Sequence, residues 1–140
     1  MSDKHRPGRM LRRVGAVLAG LLAVVILSIA TDMALHALGV YPPWGEPMVD
    51  ALLLLATVYR SVYAVAGSYM AAWLAPDRPM QHALVLGVVG LALSIVGAVA
   101  TWNAGPEFGP HWYPVALVVT ALPCCWMGGR LRAAQLAGKS

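Results

Sequence analysis

Apolar and polar positions alternate along the chain on a coarse scale: four long apolar stretches are divided by short segments rich in Pro, Gly, charge and aromatic rings. An apolar run of roughly 20 residues, rising about 1.5 Å each as a helix, crosses the ~30 Å hydrocarbon core of a bilayer. The first stretch runs from Val14 through Ala30 to Leu38. The second, Val49 to Leu74, follows Pro43-Trp44-Gly45-Glu46-Pro47 and stops at Pro76-Asp77-Arg78-Pro79, through which no helix continues easily. The third spans His82 to Trp102, and the fourth starts at Tyr113, carries Pro123 and fades at Met127 to Gly129. The pattern predicts an all-α membrane protein. Its single domain, 14–129, is a four-transmembrane-helix bundle with helices at about 14–38, 49–74, 82–102 and 113–129, between basic tails 1–13 and 130–140.

Composition narrows the class further. Of 140 residues, 59% are hydrophobic and 11% charged, and the mean hydropathy is +0.68. A soluble domain of this size needs a charged surface, and a disordered chain could not leave so much apolar surface unburied. Charge then sets direction, because Lys and Arg flanking the spans stay on the cytoplasmic side. Lys4, Arg6, Arg9, Arg12 and Arg13 precede the first span, Arg78 separates the second from the third, and Arg130, Arg132 and Lys139 follow the fourth. The other two loops hold no Lys or Arg. Both termini are therefore expected in the cytoplasm of a bacterial cell, with the protein in its inner membrane. Tyr41, Trp44, Trp102, Trp112 and Tyr113 at the opposite boundary fit an interfacial aromatic belt. The pI near 9.4 follows from this topology, so the expected partner is the lipid bilayer and not nucleic acid.

The N-terminus has two readings. Its basic start, the apolar run Val14 to Leu27 and the triplet Ser28-Ile29-Ala30 have the form of a signal peptide cleaved after Ala30. An uncleaved helix is favoured, because polar residues continue past Ala30 at helical spacing.

The candidate chemistry lies in charges within the spans, each costing about 2.5–3.5 kcal/mol to insert and so needing a partner or a wet cavity. Arg60 lies mid-way along the second span and Asp32 late in the first, with His36 one turn further on. Ser28, Asp32 and His36 at i, i+4 and i+8 share one stripe, as do Ala56, Arg60, Ala64, Gly67 and Ala71 on the second helix. Asp32 pairs naturally with Arg60. Their depths differ on counting, since Asp32 lies about 28 Å beyond Arg13 and Arg60 about 17 Å below Val49 at helical rise. Tilt of the first helix and the reach of the Arg side chain reduce the difference. Two readings of the pair stay open. It could lock helices one and two together, with Tyr59 or Tyr63 adding hydrogen bonds. It could instead belong to a polar pocket of Asp32, His36 and Arg60 open to the extracytoplasmic side, as in a transporter-like or small-ligand-binding protein.

Asp32 and His36 could also offer two metal ligands, with Glu46, Asp50 or His111 as a third, but no metal motif is present and no metal or cofactor is expected. Gly87, Gly90, Ser94, Gly97 and Thr101 recur at spacings of three and four on the third helix, a small-residue seam for packing in the bundle. Homo-oligomerisation through that seam, or docking of another membrane protein, is the competing use. Adjacent Cys124 and Cys125 read as small packing residues. No nucleophile stands with a base, so no enzymatic activity is expected.

The chain resembles small bacterial four-span integral membrane proteins in several features: Asp32, His36 and Tyr41-Pro42 at the end of helix one, Pro110-His111-Trp112 before helix four, and Pro123 with Gly128-Gly129-Arg130-Leu131 at its exit. The resemblance covers most of the chain and implies the same architecture without an activity. In length and span count the chain is also similar to small multidrug transporters, but their acidic residue sits mid-membrane whereas Asp32 is late in its span. The leading expectation is a protein of structural or accessory type.

Overall fold

The computed structural model describes residues 6–139, with side chains from Gly8 onward. Lys4 of the basic tail lies outside the described residues. The described chain is helical, with four α-helices and no strand: α1 (Arg6–Ala37), α2 (Asp50–Leu74), α3 (Pro79–Thr101) and α4 (Trp112–Gly138), with a single 3-10 turn at Pro106–Phe108 before α4. The four comprise 32, 25, 23 and 27 residues, and at about 1.5 Å per residue each exceeds the ~30 Å hydrocarbon core. Each is also apolar enough to cross a membrane. The exterior agrees with that reading, since large apolar side chains such as Leu22, Ile29, Val62, Val96 and Val119 point outward. On this surface lipid, not water, is the natural solvent.

The helices extend beyond the apolar stretches at two places. α1 already begins at Arg6, and α4 runs on through Arg130-Leu131-Arg132-Ala133-Ala134-Gln135 to Gly138. Hydropathy stops where charge starts, but Arg, Leu, Ala and Gln are strong helix formers, so the backbone continues. Arg9, Arg12 and Arg13 before the first apolar stretch, and Arg130 and Arg132 after the fourth, therefore lie on turns of helix. Pro79 at the first turn of α3 needs no amide partner there. Pro123 removes one backbone donor from α4, and the Thr120 hydroxyl bonds to the Ala116 carbonyl at 2.8 Å in the turn before it.

α2 is the central helix, packed against α1, α3 and α4, while α1 meets chiefly α2 and more sparsely α3. The crossings are made by glycines. A Cβ on Gly67 would lie 2.7 Å from the Gly20 carbonyl oxygen, and one on Gly20 would lie 2.5 Å from that of Gly67. α1 and α2 thus touch backbone to backbone. α4 meets α2 in the same way at Gly128, where a Cβ would stand 2.5 Å from the Val65 carbonyl and 2.7 Å from the Tyr69 amide nitrogen. Around these points Ala71, Leu86 and Cys125 form the small buried core, with Val17 and Leu21 of α1 against it. Of the α3 seam, Gly87 packs on Leu122 and Cys125 of α4, whereas Gly90 and Gly97 have nothing within 4 Å of a Cβ position.

At the end of the bundle that holds the α1 N-terminus, Arg13 grips Asp77 of the α2–α3 loop with two bonds, Nε to Oδ1 at 3.2 Å and Nη2 to Oδ2 at 2.6 Å. The guanidinium holds the Asp77 carboxyl below its usual range.

This packing yields a contrast. Gly67→Val should cost about 1–3 kcal/mol by forcing α1 off α2, because its Cβ meets backbone that no rotamer change can move. Gly90→Ala should leave the midpoint unchanged. Thermal unfolding of both variants in the same detergent checks the difference, and equal midpoints would contradict the glycine crossing.

Candidate functional site

The site begins with a turn. α1 ends at Ala37, and Gly39, at φ +77°, takes the left-handed conformation that lets the chain double back. The amides of Val40 and Tyr41 both bond to the Leu35 carbonyl, at 3.0 and 3.1 Å. Tyr41 is thereby folded under the loop and only 4% exposed, so it leaves the interfacial belt and enters the bundle. Its hydroxyl lies 2.9 Å from that of Tyr59.

Tyr59 and Arg60 are neighbours on α2, and both reach Asp32 on α1. Arg60 Nη2 donates to Asp32 Oδ2 at 2.5 Å, and the Tyr59 hydroxyl donates to Asp32 Oδ1. Since the Tyr59 proton is committed to the carboxylate, Tyr41 is the donor in the contact between the two phenols. The chain of donation therefore runs Tyr41 to Tyr59 to Asp32, with Arg60 closing from the other side. Both oxygens of Asp32 are occupied, which an ionised carboxylate in a low-dielectric setting requires. Burial pushes the Tyr41 phenol above its ordinary range, so it remains a donor. Arg60 is flanked by the Tyr59 ring, 5.8 Å from its guanidinium carbon, and lies within electrostatic reach of Tyr113 on α4.

The other candidates are placed nearby and engaged differently. His36 sits one turn above Asp32, and its Nδ1 lies 3.0 Å from the Pro42 carbonyl, so Nδ1 carries the proton. The His36 ring stacks on Trp44 at 3.7 Å between centroids and meets Tyr41 edge-on at 5.2 Å. It serves the loop. Tyr63 bonds to Thr31 of α1 at 2.7 Å, a second rung between the helices that does not touch Arg60 or Asp32. The further metal-capable residues are dispersed: Asp50 accepts from the Trp112 indole at 3.2 Å, and His111 Nε2 lies 2.9 Å from the Trp102 carbonyl. Among the described residues no group of three or more His, Cys, Asp or Glu side chains comes together.

Next to the pair lies a cavity of about 180 Å³, lined by all four helices. Arg60 contributes to its wall, as do Ser28, Ser61, Ser94 and Thr120, and Leu86 and Cys125 belong to its apolar part. Arg60 Nε is buried without a hydrogen-bond partner. Gly90 and Ser94 of the α3 seam line this space, and a Cβ on Gly90 would have nothing within 4 Å.

Sequence reasoning did not identify Tyr41 or Thr31 as part of this network. Gly39 is the signal that could have found Tyr41, since a glycine just past a helix end marks a left-handed cap that reverses the chain. No family model, curated protein or solved structure matches the chain.

The network makes Tyr59 the hub between Tyr41 and Asp32. Tyr59→Phe should lower stability by about 1.5–3 kcal/mol, the range for a hydrogen bond to a charged group. Tyr63→Phe, which breaks a neutral contact, should cost less. Unfolding followed by Trp fluorescence in detergent checks the order of the two variants.

Proposed function

We propose that the chain is a multi-pass protein of the bacterial inner membrane with both termini in the cytoplasm and a structural or accessory role. The single observation that carries this reading is the Asp32 network. The intramembrane carboxylate is spent on two donors from the adjacent helix, which is the arrangement of a lock. A group held ready for a reaction would keep one oxygen free. Orientation draws support from the grouping of Arg9, Arg12, Arg13, Arg78, Arg130, Arg132 and Lys139 at one end of the bundle, where Arg13 meets Asp77 and Gly129 meets Met80. The opposite end carries Glu46, Asp50 and Glu107 and no Lys or Arg. As an accessory protein it would present its lipid-facing surface to the bilayer, to a second copy of itself or to another membrane protein.

A lock has a thermodynamic signature. Arg60→Ala leaves a part-buried carboxylate without its counter-charge and should lower the detergent unfolding midpoint by several degrees, and adding Asp32→Ala should restore part of the loss. Single variants as stable as the parent would end the structural reading. Orientation is tested in a background with Cys124→Ala and Cys125→Ala. Glu46→Cys should label in intact cells with a membrane-impermeant maleimide, whereas Lys139→Cys should label only after lysis.

A further inference from the structure

The lock leaves an imbalance behind it. Arg60 gives one N–H to Asp32 and stands within reach of Tyr113, and its Nε–H is buried with nothing to accept it. Ser28, Ser61 and Ser94 line the same cavity. Ser28 is only 5% exposed. A buried donor without a partner is rare in folded proteins, and among the described residues the Arg60 Nε–H is one, in a side chain that lines a space to which three helices also bring hydroxyls. Its remaining walls, such as Leu21, Leu86 and Leu117, are apolar.

We propose that the cavity beside Arg60 is a binding site for an uncharged, membrane-soluble aromatic carbonyl compound, its carbonyl oxygen turned to Arg60 and the serine hydroxyls and its ring against the apolar wall. Three properties select this class. Size is the first: the space is about 180 Å³, and a cavity of about 150 Å³ lined by aliphatic side chains accommodates benzene. Charge is the second. Arg60 is already balanced by Asp32, so an added carboxylate would place an uncompensated charge in hydrocarbon, whereas a neutral oxygen answers the donors at no such cost. Polarity is the third, because a purely apolar guest would offer no acceptor to Arg60 or to the hydroxyls in the wall. The site differs from a pocket open to the outside: His36 is bonded to the loop above and is not among the groups that line it.

The test uses three probes of similar shape on the full-length protein in lipid nanodiscs, with binding counted as the saturable part beyond uptake by empty discs. Acetophenone has the ring and the carbonyl, ethylbenzene the ring alone, and benzoate the ring with a charge. Acetophenone should bind about tenfold more tightly than ethylbenzene, the equivalent of one well-placed hydrogen bond, and benzoate should not bind. The double variant Ser61→Ala, Ser94→Ala should reduce the preference for acetophenone. Gly90→Leu, which fills a space with nothing within 4 Å of the Cβ position, should abolish binding of both while the unfolding midpoint holds. Equal affinity for acetophenone and ethylbenzene would overturn the polar recognition. No saturable binding of either would overturn the site and leave the cavity to water. The Asp32 and Arg60 variants report on the lock separately, so failure of either idea is distinguishable from failure of the other.

Discussion

A carboxylate inside a bilayer has no water to fall back on, and the half of this molecule around Asp32 is organised by that fact. Asp32 must find donors from protein, and α2 supplies two from adjacent positions, Tyr59 and Arg60. Adjacent residues on a helix point about 100° apart, so both can reach one carboxylate only if α1 lies in the groove between them. The backbone contact of Gly20 with Gly67 holds α1 close enough for that. The polar network and the glycine crossing are thus two expressions of one constraint, one chemical and one steric.

The architecture was legible in the sequence because membranes simplify the problem. Apolar length reveals helices, and the placement of Lys and Arg reveals a common end. Asp32 and Arg60 were visible as a pair for a similar reason, since opposite charges on consecutive spans have few other ways to be satisfied. Counting residues set them at different depths. α1, with 32 residues, is longer than the span read from hydropathy, so residue counts from Arg13 do not fix the level of Asp32 relative to the bilayer.

What the sequence did not disclose depends on rotation of helices about their axes and on backbone reversal. Tyr41 looked interfacial by position, and only the turn at Gly39 carries it inside. The α3 glycines looked like one seam, yet Gly87 touches α4 while Gly90 borders a void. A spacing of three and four shows that residues share a face, but not whether a neighbour arrives at that face along its whole length. The same limit hid the cavity, whose wall takes residues from all four helices at unrelated sequence positions.

The separation of Asp32 from Arg60 along the chain also has a temporal side. They are 28 residues apart, and at 5–20 residues per second of synthesis the acid waits on the order of a few seconds for its base. During that interval the first span carries a lone charge and the second has not been made. The first helix is therefore expected to linger at the insertion machinery and enter lipid together with the second, as a hairpin. The order of synthesis thereby becomes part of how the fold is reached.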